Sequence, residues 1–245
     1  MTWLHLLLGS FILFAYTAEA MTGFGSIVIA LSLGALFFPI EWLQTVLVPL
    51  NICMTGFLTW RHRRLIDWVL LRRLILPLMV LGTIAGNWMQ PLLGGPVLKA
   101  VFALLILWFA LRALWQARGG AAEQARPLWQ SRLLIGGAGI THGLFASGGP
   151  LLVYGLSGMA LDKARFRATL ILVWFGLNSL LTVIFLAQGR LQPEILWVGA
   201  YLPLIPLGVW LGERLHHKVD EAGFRLWLYR VLVLAAVGLL ISALR

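Results

Sequence analysis

The sequence reads LPLMVLGTIAG at residues 76–86 and LPLIPLGVWLG at residues 202–212. The two stretches share a proline and two glycines in the same places, and the offset from Pro77 to Pro203 is 126 residues. Matched apolar segments that are interrupted by Gly and Pro in two halves of a chain are typical of transporters built from repeats. The sequence therefore predicts two related halves.

A second matched pair lies nearer the start of each half. The apolar stretch Leu4–Ala20 runs into GFGS at residues 23–26, and Leu133–Phe145 runs into ASGGP at residues 146–150, at an offset of about 123. Glycine clusters of this kind end helices, so each half is predicted to begin with a broken helical hairpin. The second pieces are expected at 26–38 and 151–159, too short to cross a bilayer upright.

Composition places the rest of the chain in a membrane. Sixty per cent of the 245 residues are hydrophobic and 11% are charged, against about a quarter charged in soluble domains. Six further apolar stretches are each about long enough to span the bilayer. They are Trp42–Trp60, Leu74–Leu93, Val97–Trp115, Thr169–Ala187, Ile195–Leu211 and Phe224–Leu244.

The predicted fold class is thus an all-α polytopic membrane protein with two inverted repeats, each a broken helical hairpin plus three transmembrane helices. Hydropathy alone predicts about eight helices. The expected domains are an N-terminal membrane repeat at 1–116, a cytoplasmic linker at 117–131 and a C-terminal membrane repeat at 132–245.

The basic charge is clustered, which predicts orientation. Fifteen of the 19 Lys and Arg residues fall in the segments 61–73, 112–132, 163–167 and 214–225. Such clusters are typical of cytoplasmic loops, so both termini are expected outside. The net charge of +10 is thereby explained without a nucleic-acid partner. We expect a multi-pass protein of a bacterial-type inner membrane.

The two breaks are predicted to form an anion site. A helix that begins inside the membrane presents unpaired N–H groups and a partial positive charge. Ser147 is the expected N-cap of the second piece, with Gly148 and Gly149 admitting a ligand to the backbone. The predicted substrate-binding residues are Thr22, Gly23, Gly25, Ser26, Asn51, Ser147, Gly148, Gly149 and Asn178. The alternative is that the glycines only permit close helix packing.

Four polar residues inside apolar segments occupy related positions in the two halves. Glu19 and His142 match at the offset of 123, and intramembrane ionisable groups are candidates for proton coupling. Their alternative is a hydrogen-bonded structural pair, or a Glu19 side chain that simply reaches an interface. Asn51 and Asn178, 127 residues apart, are expected to line the cavity or to bond the backbone of a broken neighbour.

The sequence predicts no metal site, no cofactor and no catalytic residue. The five histidines are scattered, and the single cysteine, Cys53, excludes an intramolecular disulfide. Residues 155–158 read GLSG, as in rhomboid proteases, but no later crossing segment supplies a histidine to activate Ser157. An enzyme is therefore not expected.

The duplicated unit, the glycine-rich breaks and the stretch 148–151 (GGPL) resemble the TauE/SafE sulfite exporter family, within the toluene sulfonate uptake permease superfamily. The resemblance covers about residues 7–244. It implies a secondary transporter of small anions, with sulfite, sulfoacetate or related organosulfonates as expected substrates and alternating access between two repeats. The alternatives are an anion channel and a membrane assembly protein without transport.

One departure from the family pattern concerns the first break, which has GFGS where the second has the Gly-Gly-Pro of residues 148–150. Equal participation of both halves in binding is therefore in question. The expected partners are the anionic substrate and the lipid bilayer, and a homodimer is left open.

Overall fold

The computed structural model describes residues 3–22, 25–119, 127–157, 162–216 and 220–244, without the side chains of residues 22, 163, 216, 221 and 222. Throughout these ranges the regular structure is helical. The helices before the linker are α1 Trp3–Thr22, α2 Ser26–Gly34, α3 Ile40–His62, α4 Trp68–Leu70, α5 Leu76–Met89 and α6 Gly95–Ala117. Those after it are α7 Leu128–Phe145, α8 Gly149–Leu156, α9 Lys163–Ala187, α10 Ile195–Tyr201, α11 Leu204–His216 and α12 Glu221–Ala243.

Short irregular turns join several of these helices. A π-helical segment, Leu71–Ile75, connects α4 to α5 without a break, and 3₁₀ turns cover Arg63–Leu65, Gln90–Leu92 and Gln192–Glu194. Pro49 lies inside α3, where it removes one intrahelical hydrogen bond.

Seven segments of the described chain are long and apolar enough to cross a membrane. They are Trp3–Met21, Ile40–Leu65, Trp68–Leu92, Gly95–Ala117, Ala164–Ala187, Gln192–Leu215 and Gly223–Ala243. This confirms the all-α polytopic membrane class. Hydropathy predicts about eight helices; α7, which carries Arg132 and several glycines and other polar residues, is not among the seven.

The chain forms two compact units, each containing helices from both halves of the sequence. Unit 1 comprises residues 1–47, 93–122 and 195–245, and unit 2 comprises residues 48–92 and 123–194. In unit 1, α1 packs on α11 and α6 packs on α12. In unit 2, α5 packs on α7, and α7 on α8. The boundaries 1–116, 117–131 and 132–245 stay a prediction about the repeats.

Glycines of the duplicated stretch bring α5 and α7 into backbone contact in unit 2. A methyl group on Gly82 would lie 2.6 Å from the carbonyl oxygen of Gly136 and 2.8 Å from the Cα of Gly139. One on Gly143 would lie 2.6 Å from the amide nitrogen of Asn87. Each helix thus presents small residues four apart to the other, as in tightly packed membrane helices.

The equivalent contact in unit 1 joins α11 to α1. A methyl on Gly208 would lie 2.9 Å from the Cβ of Tyr16, and one on Gly212 would lie 2.6 Å from the carbonyl oxygen of Thr17. The glycines that define the sequence repeat therefore serve the same packing role twice. In each unit, the glycine pair of one half lies against the first helix of the other half.

Tryptophan and arginine pair one turn apart at helix ends. The guanidinium groups of Arg72, Arg112 and Arg214 lie 5.1, 6.0 and 4.0 Å from the ring centroids of Trp68, Trp108 and Trp210. Cation–π pairs of this kind suit the boundary between lipid and water, where one face of the ring is apolar and the charge stays hydrated. All three arginines belong to the clusters that predict cytoplasmic loops.

Candidate functional site

The second helix break lies inside unit 2, between α7 and α8. The chain leaves α7 at Ala146, whose backbone is left-handed (φ 50°), and enters α8 at Gly149. The N-cap is Gly148, and no side chain caps the helix, so the prediction of Ser147 as N-cap is wrong. Pro150 occupies the first turn as predicted, because its φ suits a helix start and its missing N–H is not needed there.

Buried polar atoms without hydrogen-bond partners surround this break. They are the Oγ of Ser147, both ring nitrogens of His142 and the Oδ1 of Asn178. The three side chains are 3%, 1% and 1% exposed. An unpaired buried polar group costs about 1–3 kcal/mol, so each of these atoms requires a partner, such as water or a bound polar molecule, that the described protein does not supply.

His142 is held by an aromatic contact. Its imidazole stacks on Trp174 of α9, with ring centroids 5.7 Å apart and an interplanar angle of 25°. The Asn178 side chain also approaches the ring but makes no hydrogen bond of good geometry with it. The ring is therefore fixed in position while its nitrogens stay available.

The two predicted asparagines contact each other. The Nδ2 of Asn178 donates to the Oδ1 of Asn51 at 2.7 Å, within unit 2. Neither of the two alternatives drawn from the sequence named this pairing. It ties α3 to α9 beside the break, while the Oδ1 of Asn178 makes no hydrogen bond of good geometry.

The two glycines of the second break have different surroundings. A methyl on Gly148 would overlap the carbonyl oxygen of Ala138 and lie 3.0 Å from the Cβ of His142. One on Gly149 would lie 3.4 Å from Trp174, an ordinary contact. Close packing on α7 thus accounts for Gly148, whereas packing does not require glycine at 149.

The first break, in unit 1, carries a carboxylate of its own. The Oε2 of Glu19 accepts a hydrogen bond from the backbone N–H of Ser26 at 3.0 Å, across seven residues. Ser26 is the first residue of α2, and Gly25, its N-cap, has φ 104°, which favours glycine. A carboxylate at this helix start satisfies one of its unpaired N–H groups and is stabilised by the helix dipole.

Gly23 and the side chain of Thr22 lie outside the described residues. Ser157 donates its hydroxyl to the carbonyl of Tyr154 at 2.7 Å, as a helix-end side chain would. Among the described residues, no group of three His, Cys, Asp or Glu side chains is placed to hold a metal ion.

Sequence reasoning missed a polar face on α5. Thr83, Asn87 and Gln90 are all buried, although the helix around them is apolar. Thr83 and Asn87 lie one turn apart on α5, and Gln90 follows as its C-cap. The spacing of four and then three residues places all three on one side, which is the signal that could have revealed them. The Oγ1 of Thr83 and the Nδ2 of Asn87 have no partner.

Unpartnered polar atoms concentrate in unit 2. Of nine such buried atoms in the described part of the chain, eight belong to it, on Thr59, Thr83, Asn87, His142, Ser147, Asn178 and Thr182. The first break, with its Glu19 carboxylate, belongs to unit 1. The second break is therefore the stronger candidate site.

Comparison with known proteins identifies the family of the chain. The sequence model of the sulfite exporter TauE/SafE family matches residues 8–239, nearly the whole chain. The chain belongs to the TauE/SafE family. Members of this family are transporters, so the protein is a membrane transporter and not an enzyme.

One curated relative is the "Probable inner membrane transporter protein TsaS" of Comamonas testosteroni. It is 27% identical over 168 residues, which cover 67% of this chain and 69% of the relative. No solved structure matches the chain.

Proposed function

We propose that this TauE/SafE protein is a secondary transporter of small sulfur-containing anions, and that it binds them at the α7–α8 break. The observation that carries the proposal is the set of unpartnered polar groups on Ser147 and His142 beside the start of α8. Sulfite, sulfoacetate and related organosulfonates are the proposed substrates. The family and its curated relative support transport, and the chemistry of the break supports an anion.

The binding chemistry follows from the helix start. The first N–H groups of α8 have no partner within the helix, and the dipole favours a negative charge beside them. The hydroxyl of Ser147 and a ring N–H of His142 add two donors that the protein does not use. Sulfite and sulfonate oxygens accept hydrogen bonds from all of these groups. Burial strengthens these bonds by excluding water.

Proton coupling is assigned in this proposal to His142 and Glu19. His142 lies at the binding break, so a proton on its ring would add a positive charge beside the anion. Glu19 occupies the equivalent position in the first break and bonds Ser26. Protonation of Glu19 would weaken that bond, because a neutral acid accepts a hydrogen bond less strongly than a carboxylate and loses its attraction to the helix dipole.

The proposed mechanism is alternating access between the two halves. Because α1 packs on α11 and α5 on α7, each compact unit contains helices from both repeats. We place the protein in a bacterial inner membrane with the basic loops cytoplasmic and both termini outside, as the charge clusters predict.

The test is flux of radiolabelled sulfite and sulfoacetate into proteoliposomes that contain the purified protein. A secondary transporter gives saturable uptake and accelerated exchange when the lumen is preloaded with unlabelled anion. A channel gives no such acceleration, and an assembly protein gives no flux above protein-free liposomes. Uptake of neither anion would reject the proposed substrate class, and unaccelerated flux would reject the carrier mechanism.

The variant that connects flux to the break is Ser147→Ala. The hydroxyl of Ser147 bonds no protein group, so its removal costs the fold no hydrogen bond. We expect KM to increase about tenfold, because the variant loses one charge-assisted hydrogen bond to the anion. Ser179→Ala is the matched control, because that hydroxyl donates to Phe175 within the same helix. Equal KM values in the two variants would remove Ser147 from the site.

A further inference from the structure

A polar network connects one end of unit 2 to the break. Arg190 donates to the Oε1 of Gln90 at 3.2 Å and to the Oε1 of Gln188 at 3.4 Å. Gln188 donates to the Oδ1 of Asn87 at 3.0 Å. Gln90 donates to the carbonyl of Leu144, in the last turn of α7, at 2.9 Å. The network thus joins a cation at the end of α9 to the helix that leads into the break.

Unused donors continue from this network into the interior. Asn87 accepts from Gln188 through its oxygen, so its Nδ2 is the group left over, and the side chain is only 5% exposed. Thr83, one turn along α5, is fully buried with a free Oγ1. Both residues lie where α5 contacts the glycines of α7, the helix that carries His142. Two buried donors in a row provide hydrogen bonds for an anion that has left water.

The position of Arg190 suits the capture of an anion. The opposite end of α9 carries the basic cluster of residues 163–167, so Arg190 belongs to the other, predicted outer, end. Its guanidinium also lies 4.6 Å from the ring centroid of Phe185. From Gln188 to Asn178 is ten residues, about 15 Å along a helix, or half the thickness of the hydrocarbon core. The network therefore begins near one surface of the membrane, and the break lies near the middle of the hydrocarbon core.

We propose that Arg190, Asn87 and Thr83 line the route by which the anion reaches the α7–α8 break from this end of unit 2. Arg190 makes the first contact and selects for negative charge. Asn87 and Thr83 then exchange hydrogen bonds with the passing anion. This inference rests on the proposed function, since it assumes that an anion binds at the break.

The experiment measures thiol labelling in lipid nanodiscs, where both faces of the protein are accessible. Cys53→Ser removes the only native thiol, and Thr83→Cys, Asn87→Cys or Ile84→Cys then introduces a single one. The probe is the anionic reagent sulfonatoethyl methanethiosulfonate. Ile84 is the matched control because it follows Thr83 on α5 and its side chain is 47% exposed on the apolar surface. Lipid there excludes a charged reagent.

We expect the cysteines at 83 and 87 to react at least tenfold faster than the one at 84, and sulfoacetate to slow them. Adding Arg190→Gln should slow the anionic reagent about fivefold and should not slow a trimethylammonium analogue, which the lost positive charge no longer repels. Lys99→Gln, a cation of unit 1 that bonds Ser242, should change neither rate. Equal reactivity at 83 and 84, or an unchanged anionic rate with Arg190→Gln, would overturn the route.

Labelling does not depend on transport, which separates the two proposals. If the cysteines at 83 and 87 react faster than the one at 84 while sulfoacetate does not slow them and liposomes take up neither anion, the route stands and the proposed substrates are wrong. If uptake occurs while the cysteine at 83 is unreactive, the transporter stands and this route is wrong. Size-exclusion chromatography identifies any variant that fails to fold.

Discussion

The carboxylate of Glu19 accepts a hydrogen bond from the backbone N–H of Ser26, so the first helix break contains an anion supplied by the protein itself. The equivalent residue of the second half is His142, whose ring nitrogens bond no protein group. The start of the helix after the break is therefore bonded by a protein carboxylate in the first half, whereas the equivalent side chain of the second half makes no such bond. This difference gives a physical reason for the departure of GFGS from the Gly-Gly-Pro pattern.

The first prediction concerns the role of Glu19 in stability. Glu19→Gln keeps an oxygen for the N–H of Ser26, whereas Glu19→Ala leaves that buried donor unsatisfied. We expect Glu19→Ala to lower the free energy of unfolding by about 1–2 kcal/mol, and Glu19→Gln by less. Thermal unfolding of the purified protein measures the difference. Glu213→Ala, at an exposed position on α11, is the control; equal melting temperatures for the Gln and Ala variants would contradict the prediction.

The second prediction separates structure from function at His142. His142→Phe keeps a ring against Trp174 and removes two nitrogens that bond no protein group. We therefore expect an unchanged melting temperature and a loss of anion uptake of at least tenfold. His5→Phe is the matched control, since His5 also stacks on a tryptophan, Trp197, at 3.9 Å, but lies in unit 1. Full uptake by His142→Phe would show that the ring only fills space.

Much of this architecture is predictable from sequence because its signals are local. Apolar length, clustered basic loops and the repeated glycines predict the class of fold, and glycine clusters predict where α1 and α7 end. The partners of those features depend on contacts between distant segments. The sequence around Asn51 and Asn178 does not show that these side chains bond each other. The stretch 76–86 likewise does not show that its glycines pack on α7.

The N-cap of α8 also depends on contacts that the local sequence does not show. Ser147 has the side chain of an N-cap, yet α8 begins one residue later at Gly149 with Gly148 as its cap. The close approach of Gly148 to Ala138 fixes this register, since any side chain there would overlap α7. Tertiary packing thus overrides a local preference and leaves the serine hydroxyl unused.

The third prediction compares the two glycines of the break. Gly148→Ala should reduce the yield of folded protein, because its methyl would overlap the Ala138 carbonyl. Gly149→Ala should fold normally, because its methyl meets Trp174 at 3.4 Å, but it should raise KM several-fold by crowding the helix start. Fluorescence-detected chromatography measures folding, and sulfite uptake measures KM. Gly176→Ala, with nothing within 4 Å, is the neutral control; a normal KM for Gly149→Ala would exclude binding at that backbone.

The last prediction tests whether the two glycine crossings are equivalent. In unit 1 a methyl on Gly212 would lie 2.5 Å from the Cβ of Ala20, while in unit 2 a methyl on Gly86 would overlap the backbone carbonyl of Ile140. Both Gly212→Ala and Gly86→Ala should destabilise the protein, by about 1–3 kcal/mol, the usual cost of overpacking.

Only the clash in Gly212→Ala can be relieved by shortening a side chain, because it involves the Cβ of Ala20. Ala20→Gly should restore part of the stability lost in Gly212→Ala, although the Thr17 carbonyl at 2.6 Å limits the recovery. No such rescue exists for Gly86→Ala, since a backbone atom cannot be removed and Gly143 opposite is already glycine. Melting temperatures of the single and double variants measure the coupling, with Gly136→Ala as a position that has open space. Purely additive effects of Ala20→Gly and Gly212→Ala would show that these two residues do not meet in the folded protein.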